Sequence, residues 1–297
     1  MLEKLTTEKR NERSMNLDKM STYEIISLMN DEDNKVLAAI KKELAAIEIV
    51  IKACIEAIKN DGRIIYVGAG TSGRIGMLDA VECPPTFGMD PQKVIGILAG
   101  GTDQMYAKEE AEDSYELGVK SMIDLALNTN DIVIGLAASG RTPFVIGALD
   151  HANKINAKTA CIVCNKGSKI AQHVSMPIEI DNGPEILTGS TRLKAGTSQK
   201  MVCNMISTAT MIGLNKVYEN LMVDVDVSNQ KLYHRWLSIV QSATNCTIEQ
   251  AKELYDIANH DAKAAICMFK LKISYEKAIT YLKQYEGSIK DVIQNHQ

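Results

Sequence analysis

The sequence predicts an α/β fold: a three-layer αβα domain around a mainly parallel five-stranded sheet, with a small helical bundle at the C-terminal end. Five short runs carry the sheet: RIIYVGAG from Arg63, KVIGILAGG from Lys93, DIVIGLAASG from Asp131, TACIVCN from Thr159 and MPIEI from Met176. Most are continuously apolar rather than alternating, as strands covered on both faces are, and they alternate with segments of helical period. From Thr247 onward no such run occurs.

In chain order, DEDNKVLAAIKKELAAIEIVIKACIEAIKN places apolar residues three and four apart. This predicts one long amphipathic helix from Asp31 to Asn60, stopped by Asp61 and Gly62. The first strand then turns through glycine into TSGRIGMLDAVE, a helix expected to end at Glu82 because Pro84 and Pro85 bar its continuation. Helices are predicted over 103–128 (DQMYAKEEAEDSYELGVKSMIDLALN) and 141–156 (RTPFVIGALDHANKIN). After LTGSTRLKAG another long helix is expected from Thr197 to Asn220. Thr247 and Ser274 open TIEQAKEL and SYEKAITYL with N-cap hydroxyls, so the tail reads as a helical bundle with a weak internal repeat.

The 297 residues carry a formal net charge of −4 and only 5% aromatics. Nucleic acid wants a basic face and, for single strands, stacking rings, so no nucleic-acid partner is expected. No apolar run approaches the ~20 residues that span a bilayer. The charged start MLEKLTTEKRNERSMN lacks the apolar core of a secretory signal. No membrane role is expected, and the reducing cytoplasm is the expected home of seven scattered cysteines. Cys161 and Cys164 form a CxxC, but three apart on a strand they face opposite sides. With no second CxxC and five histidines outside every motif, no metal site is expected.

Ligands on such sheets sit outside the carboxyl ends of the strands. Those ends are GAGTSG, AGGTD, AASGRTP and CNKGS, all rich in glycine and small polar residues. Gly68, Gly70 and Gly73 satisfy GxGxxG, the dinucleotide fingerprint. A dinucleotide site also wants an acid at the end of the second strand, and none precedes Asp103. Thr71 and Ser72 add hydroxyls to the free amides of a helix N-terminus, which suits a terminal phosphate. Ser139, Gly140, Arg141 and Thr142 repeat the design after the third strand. Two such loops at neighbouring sheet positions point to a phosphomonoester held by Gly70, Thr71, Ser72, Gly73, Ser139, Gly140 and Thr142.

These loops resemble the phosphate loops of the sugar isomerase (SIS) superfamily. The longer strings GAGTSGR, DAVECPPTFG, AGG, EEAED, ASGRTPFVIGAL and LTGSTRLKAGTSQK are similar to one family within it, the N-acetylmuramic acid 6-phosphate etherases. The likeness runs in order from TEKRN at residues 7–11 to the helical tail. It implies an SIS-type sugar-phosphate-binding catalytic domain over residues 1–240 with an N-terminal helical segment, and a small, UBA-like helical bundle over 241–297. The implied reaction cleaves the D-lactyl ether of N-acetylmuramic acid 6-phosphate, giving N-acetylglucosamine 6-phosphate and D-lactate in recycling of cell-wall sugar.

The chemistry follows from the bond. An ether at C3 is β to the C1 aldehyde once the ring opens, so a base can remove the C2 proton while an acid protonates the leaving oxygen. Water then adds at C3. Two carboxylates suffice, and the reaction needs no cofactor and no metal. The family motifs place one catalytic carboxylate at the glutamate of ECPP, here Glu82, and the other at the glutamate of AED, here Glu112. Glu82 is assigned protonation of the leaving lactate and Glu112 deprotonation of C2. MYAKEEAED is one residue shorter than the family spacing, and Glu109 and Glu110 stand close by as alternatives. A glutamate near a helix end is ordinarily solvated, and one inside EEAED is ordinarily a charged helix face. The resemblance singles these two out.

The string GSTRLKAGT likewise implies that Ser190, Thr191, Arg192 and Lys194, with Glu185 upstream, bind the substrate's carboxylate or acetamido group. TEKRN resembles the family's opening and receives no role. A helix from Ser72 to Glu82 spans ~15 Å at about 1.5 Å per residue, on the order of twice a hexose phosphate. Glu82 is therefore expected to reach the neighbouring subunit's site in a homodimer. Two other readings share these loops: an aldose–ketose isomerase of a hexosamine phosphate, and a non-catalytic sugar-phosphate-binding regulator. Retained Glu82 and Glu112 speak against the regulator.

Overall fold

The five apolar runs form strands β1 (Ile64–Gly68), β2 (Val94–Leu98), β3 (Ile132–Ala137), β4 (Lys158–Val163) and β5 (Met176–Glu179). All are parallel, in the order β2-β1-β3-β4-β5. They belong to a computed structural model that describes residues 5–101, 109–225, 227 and 229–296. Gly68 pairs with Leu98 on one side and Leu136 on the other, so β2, β1 and β3 finish within one residue of each other at their carboxyl ends. The chain divides into two units: Met1–Val81 with Gln92–Ser207, and Glu82–Pro91 with Thr208–Gln297.

In the first unit helices cover both faces of the sheet. On one face α2 (Leu44–Lys59) turns Val50, Ala53, Cys54 and Ala57 inward and meets β1, β3 and β5. On the same face α3 (Gly70–Phe87) lies so close that Gly96 of β2 sits under Met77 and Gly76 sits on Tyr66. On the other face α6 (Pro143–Lys154) buries Phe144, Val145, Ala148 and Leu149 among Ile65, Val133, Cys161 and Val163. Next to it are α5 (Tyr115–Asp124) and the short α4 (Glu109–Glu112). This is the three-layer αβα arrangement expected. Cys161 lies in the α6-side core, whereas Cys164 packs with Ala138 and Ala195, so the two thiols do point apart. Burial pushes the Cys161 thiol up to about 12.

The helices differ from expectation in four places. Instead of one helix from Asp31, α1 (Thr22–Lys41) begins at a capping box of Ser21 and Glu24 and ends two residues before α2 starts. At Lys42 and Glu43 the chain tightens: Lys42 N–H donates to Ala39 and Ile40 carbonyls, and Glu43 accepts an ion pair from Lys166 at 2.5 Å. No Gly or Pro marks this break in the sequence. Second, α3 runs through Pro84 and Pro85 to Phe87 rather than stopping at Glu82. The prolines fall in the last turns, and Gly88 with φ 56° closes the helix by donating its N–H to the Pro84 carbonyl at 2.9 Å.

Third, of the helix expected over 103–128, residues 103–108 lie outside the described residues, and the rest forms two helices, α4 and α5, with Ser114 capping the latter through Leu117 N–H. Fourth, α7 (Lys194–Gly213) starts three residues early and ends before Asn220. Asn215, at φ 58°, takes the left-handed conformation that ends helices, and Lys216 N–H returns to the Met211 carbonyl. Val217–Tyr218 and Leu221–Met222 then pair as an antiparallel hairpin, β6–β7.

The second unit holds that hairpin and α8 (Gln230–Thr244), α9 (Ile248–Ile257), α10 (Ala262–Leu271), α11 (Tyr275–Gln284) and α12 (Ile289–His296). Its core gathers Trp236, Val240, Ile266 and Val292, and the Trp236 indole donates to the His260 carbonyl at 2.8 Å. Thr247 and Ser274 are the N-caps of α9 and α11, as their sequence context predicts. Asp224 receives Lys216 and Lys263 at 2.8 and 2.9 Å. Among the described residues no helix is long and apolar enough to cross a membrane.

Candidate active site

The strand order reverses between β1 and β3: the chain steps from β1 outward to β2, then returns to the far side of β1 with β3. At such a switch point the two following loops diverge and leave a crevice at the carboxyl ends. The loops that diverge here are the two glycine–hydroxyl loops read from the sequence. The first opens α3 at Gly70, whose φ is 51° and whose missing Cβ would face open space. Gly73 lets the helix approach the strand, since a Cβ there would sit 2.5 Å from the Gly68 carbonyl oxygen. Thr71 is exposed at the mouth, and Ser72 is buried beside it.

Ser72 donates its hydroxyl to Gln199 Oε1 of α7 at 2.8 Å, and Gln199 Nε2 donates in turn to the Ile162 carbonyl of β4 at 3.3 Å. Gln199 is wholly buried and was not singled out by its sequence. The second loop runs from Ala138 to Thr142. Gly140, at φ 70°, packs against Ser168 where a Cβ would collide with that side chain, and its carbonyl accepts Ile170 N–H at 2.9 Å. Thr142 is the N-cap of α6, with Pro143 at the first helical position. Its hydroxyl makes no cap bond because it donates to Glu112 Oε1 at 3.2 Å. Glu112 thus stands at the second loop, half-buried, at the end of α4.

Other sequence-picked residues sit elsewhere. Glu82 is exposed on α3 and falls in the second unit. Ser190 and Thr191 are half-buried in the loop before α7, and Thr71 Cγ2 lies 3.6 Å from the Cβ position of Gly196 just beyond that loop. Glu185 is 1% exposed and spends both oxygens on the N-terminus of α7, accepting Lys194 N–H at 3.0 Å and Ala195 N–H at 2.8 Å. Burial pushes its carboxyl up, against the pull of those two bonds. The α7 N-terminus is therefore neutralised by the protein itself. The Lys194 side chain is equally buried and donates to Glu32 Oε2 at 2.8 Å.

Comparison with known proteins fixes the family. A sequence model of the glucokinase regulatory protein N-terminal SIS domain matches residues 46–153, and one of the C-terminal lid domain of glucokinase regulatory protein matches residues 219–264. The chain is 52% identical over 294 residues to the N-acetylmuramic acid 6-phosphate etherase of Bacillus cytotoxicus, covering 99% of this chain and 100% of that protein. The chain belongs to the N-acetylmuramic acid 6-phosphate etherase family. N-acetylmuramic acid 6-phosphate etherase 2 of Enterococcus faecalis is likewise 52% identical, over 98% of this chain and 99% of its own length. A protein of known structure from Escherichia coli superposes with a TM-score of 0.50 at 16% identity, over 68% of this chain and 97% of that one. At that identity the likeness is one of fold. The etherase family's match covers 99% of the chain and so takes in both units.

Proposed function

We propose that this chain is a carbon–oxygen lyase that cleaves the D-lactyl ether of N-acetylmuramic acid 6-phosphate in the cytoplasm, yielding N-acetylglucosamine 6-phosphate and D-lactate. The observation that carries it is the 52% identity, end to end, to proteins named for that etherase activity. The sugar phosphate is held between the α3 loop (Gly70, Thr71, Ser72, Gly73) and the α6 loop (Ser139, Gly140, Thr142). Backbone amides of both loops, with the Thr71 and Ser139 hydroxyls, meet an anion at two helix N-termini, while the Ser72 and Thr142 hydroxyls are turned to Gln199 and Glu112.

Glu112 removes the C2 proton of the opened sugar. The electrons form the C2–C3 double bond as the C3–O bond breaks, and Glu82 delivers a proton to the departing lactate oxygen. Water adds back at C3, its proton going to a carboxylate, while C2 regains a proton, so the pair returns to its starting state. Support for Glu112 is its bond from Thr142 at the mouth of the second loop. Ser190 contacts the substrate beyond its phosphate. Glu185 contributes by fixing the loop end rather than by touching the sugar, since both its oxygens are engaged.

The enzyme works as a homodimer in which Glu82 serves the partner's site. The motive is the ~15 Å of helix between Ser72 and Glu82 at about 1.5 Å per residue. Mixing inactive Ser72→Ala and Glu82→Gln chains is expected to restore D-lactate release in isolated heterodimers, to about half the wild-type rate at most. Heterodimers without activity would rule out the shared site. The reading as a whole is tested by enzymatic assay of D-lactate from N-acetylmuramic acid 6-phosphate. Ketose formation without lactate would make the protein an isomerase. Tight binding with neither product would make it a regulator, the role for which the two matching domain models are named.

A further inference from the structure

We propose that the N-terminal segment is a positioning strap for the phosphosugar site, acting through Thr7 on the loop after β3. The proposal rests on the reading of that loop as a phosphate grip.

Residues 6–19 form only three short 3-10 turns, Thr6–Glu8, Glu12–Ser14 and Leu17–Lys19. A chain end with so little regular structure is ordinarily frayed unless something ties it down. Two of its polar side chains are instead almost wholly buried, Thr7 at 1% and Asn11 at 4% exposure. Thr7 grips Asn165 at two points: its N–H donates to Oδ1 at 3.3 Å, and its Oγ1 accepts from Nδ2 at 3.0 Å. The same Nδ2 donates to the Ala138 carbonyl at 3.2 Å. Ala138 directly precedes Ser139, so the strap holds the second phosphate loop at its first residue.

The other end of the strap reaches a second loop. Asn11 Nδ2 donates to the Pro184 carbonyl at 3.2 Å and to Glu32 Oε2 at 2.8 Å, at the start of the segment that carries Glu185 and Ser190. Between these anchors the Glu8 carboxylate comes to 3.6 Å from the Cβ position of Gly189. Through Asn165, in the loop after β4, one short segment therefore ties the start of the loop after β3 to the segment after β5. A site built from loops of different strands must hold its donors within roughly 0.5 Å of the working geometry. A strap linked to two of them, to the one after β3 by way of Asn165, supplies that restraint. Asn165 touches the loop's backbone at Ala138 and Thr7 acts on it through the Asn165 side chain, so both are positioning residues.

The test compares Thr7→Val, which keeps the shape but removes the acceptor, with Thr7→Ser, which keeps the acceptor. Exposed Lys9→Ala in the same segment is the control. KM and kcat are measured for D-lactate release, Kd by calorimetry for N-acetylglucosamine 6-phosphate and for inorganic phosphate, and Tm for each chain. Loss of one buried hydrogen bond predicts that Thr7→Val raises KM and both Kd values about three- to tenfold, with kcat changed less than about twofold. Thr7→Ser restores wild-type values. Unchanged KM and Kd in folded Thr7→Val, whatever Tm does, would overturn the strap and leave Thr7 a purely structural clamp. Should Thr7→Val not fold, Thr7→Cys, a weaker acceptor, decides by the same readouts. If wild type binds the phosphosugar but releases no lactate, the etherase reading fails while the Kd values still decide the strap. If wild type binds neither ligand, the phosphate-loop reading fails and the strap with it.

Discussion

Glu82→Gln and Glu112→Gln are each expected to lower kcat for D-lactate release by about 10²- to 10⁴-fold, the usual contribution of a positioned acid or base. The substitution is isosteric, Glu82 is exposed, and in Glu112→Gln the new amide carbonyl can still accept the Thr142 hydroxyl. Stability should therefore stay within about 0.5 kcal/mol. KM should move little, because in the proposed reaction the phosphate loops carry the binding. The double variant is expected to be scarcely worse than either single one, as for groups that act in one step.

Proton exchange separates the two roles. In deuterated water Glu82→Gln should still wash deuterium into C2 of unreacted substrate, because Glu112 remains and only departure of lactate fails. Glu112→Gln should show no exchange. The opposite pattern would interchange the assignments, and activity surviving in Glu112→Gln would move the base to Glu110 or Glu109.

The largest expected effect on stability is at Glu32. This carboxylate is 1% exposed and accepts from Lys194 at 2.8 Å, Lys35 at 2.7 Å, Asn11 at 2.8 Å and Arg13 at 3.0 Å. Lys194 is itself 1% exposed, so Glu32→Ala strands a buried ammonium. Breaking such a pair costs about 3–5 kcal/mol, a large part of the roughly 5–15 kcal/mol that holds a typical domain. Replacing both partners with apolar residues, as in Glu32→Leu with Lys194→Met, should recover most of the loss, because no buried charge is then left alone. Chemical denaturation of wild type, Glu32→Ala and the double variant checks this. Equal destabilisation by the single and double changes would mean that packing, not charge, dominates.

The same site predicts acid behaviour. Burial pushes the Glu32 carboxyl upward, but the bonds from Lys194, Lys35 and Asn11 outweigh it and hold the group at about 2, against an ordinary 4.5. The folded value is below the unfolded one, so the stabilisation is fully present above about pH 4.5 and is lost as pH falls toward 2. Its size is on the order of 3 kcal/mol. Glu185 and Asp79 are shifted upward by burial and act in the opposite sense. The difference between the wild-type and Glu32→Gln stability profiles therefore isolates the Glu32 contribution, which should shrink below pH 4.5.

The amino-acid order alone determined what is local. Strands read clearly because buried parallel strands must be apolar on both faces, and their ends were marked by the glycines that turn the chain into each helix. Caps such as Thr247 and Ser274 were legible because a hydroxyl competes for the first free amides within three residues. The glycine–hydroxyl loops were legible for the same reason, since their residues lie in one short stretch, whereas Glu82 and Glu112 were singled out by the resemblance alone.

Tertiary structure decided whatever depends on partners distant in sequence. Nothing around Gln199 foretells a bond to Ser72, 127 residues away, and nothing around Thr7 foretells Asn165, 158 residues away. Glu32 looks like any charge on a helix surface until Lys194, 162 residues on, is folded against it. Glu185, grouped by sequence with the substrate's ligands, accepts the Lys194 and Ala195 amides at the N-terminus of α7, a pairing its own neighbourhood does not announce. The break at Lys42 and Glu43 and the prolines inside α3 have the same origin. Backbone propensity differs by only about 1 kcal/mol among most residues and by about 3 kcal/mol for proline. Burial of apolar side chains in tertiary packing can outweigh both.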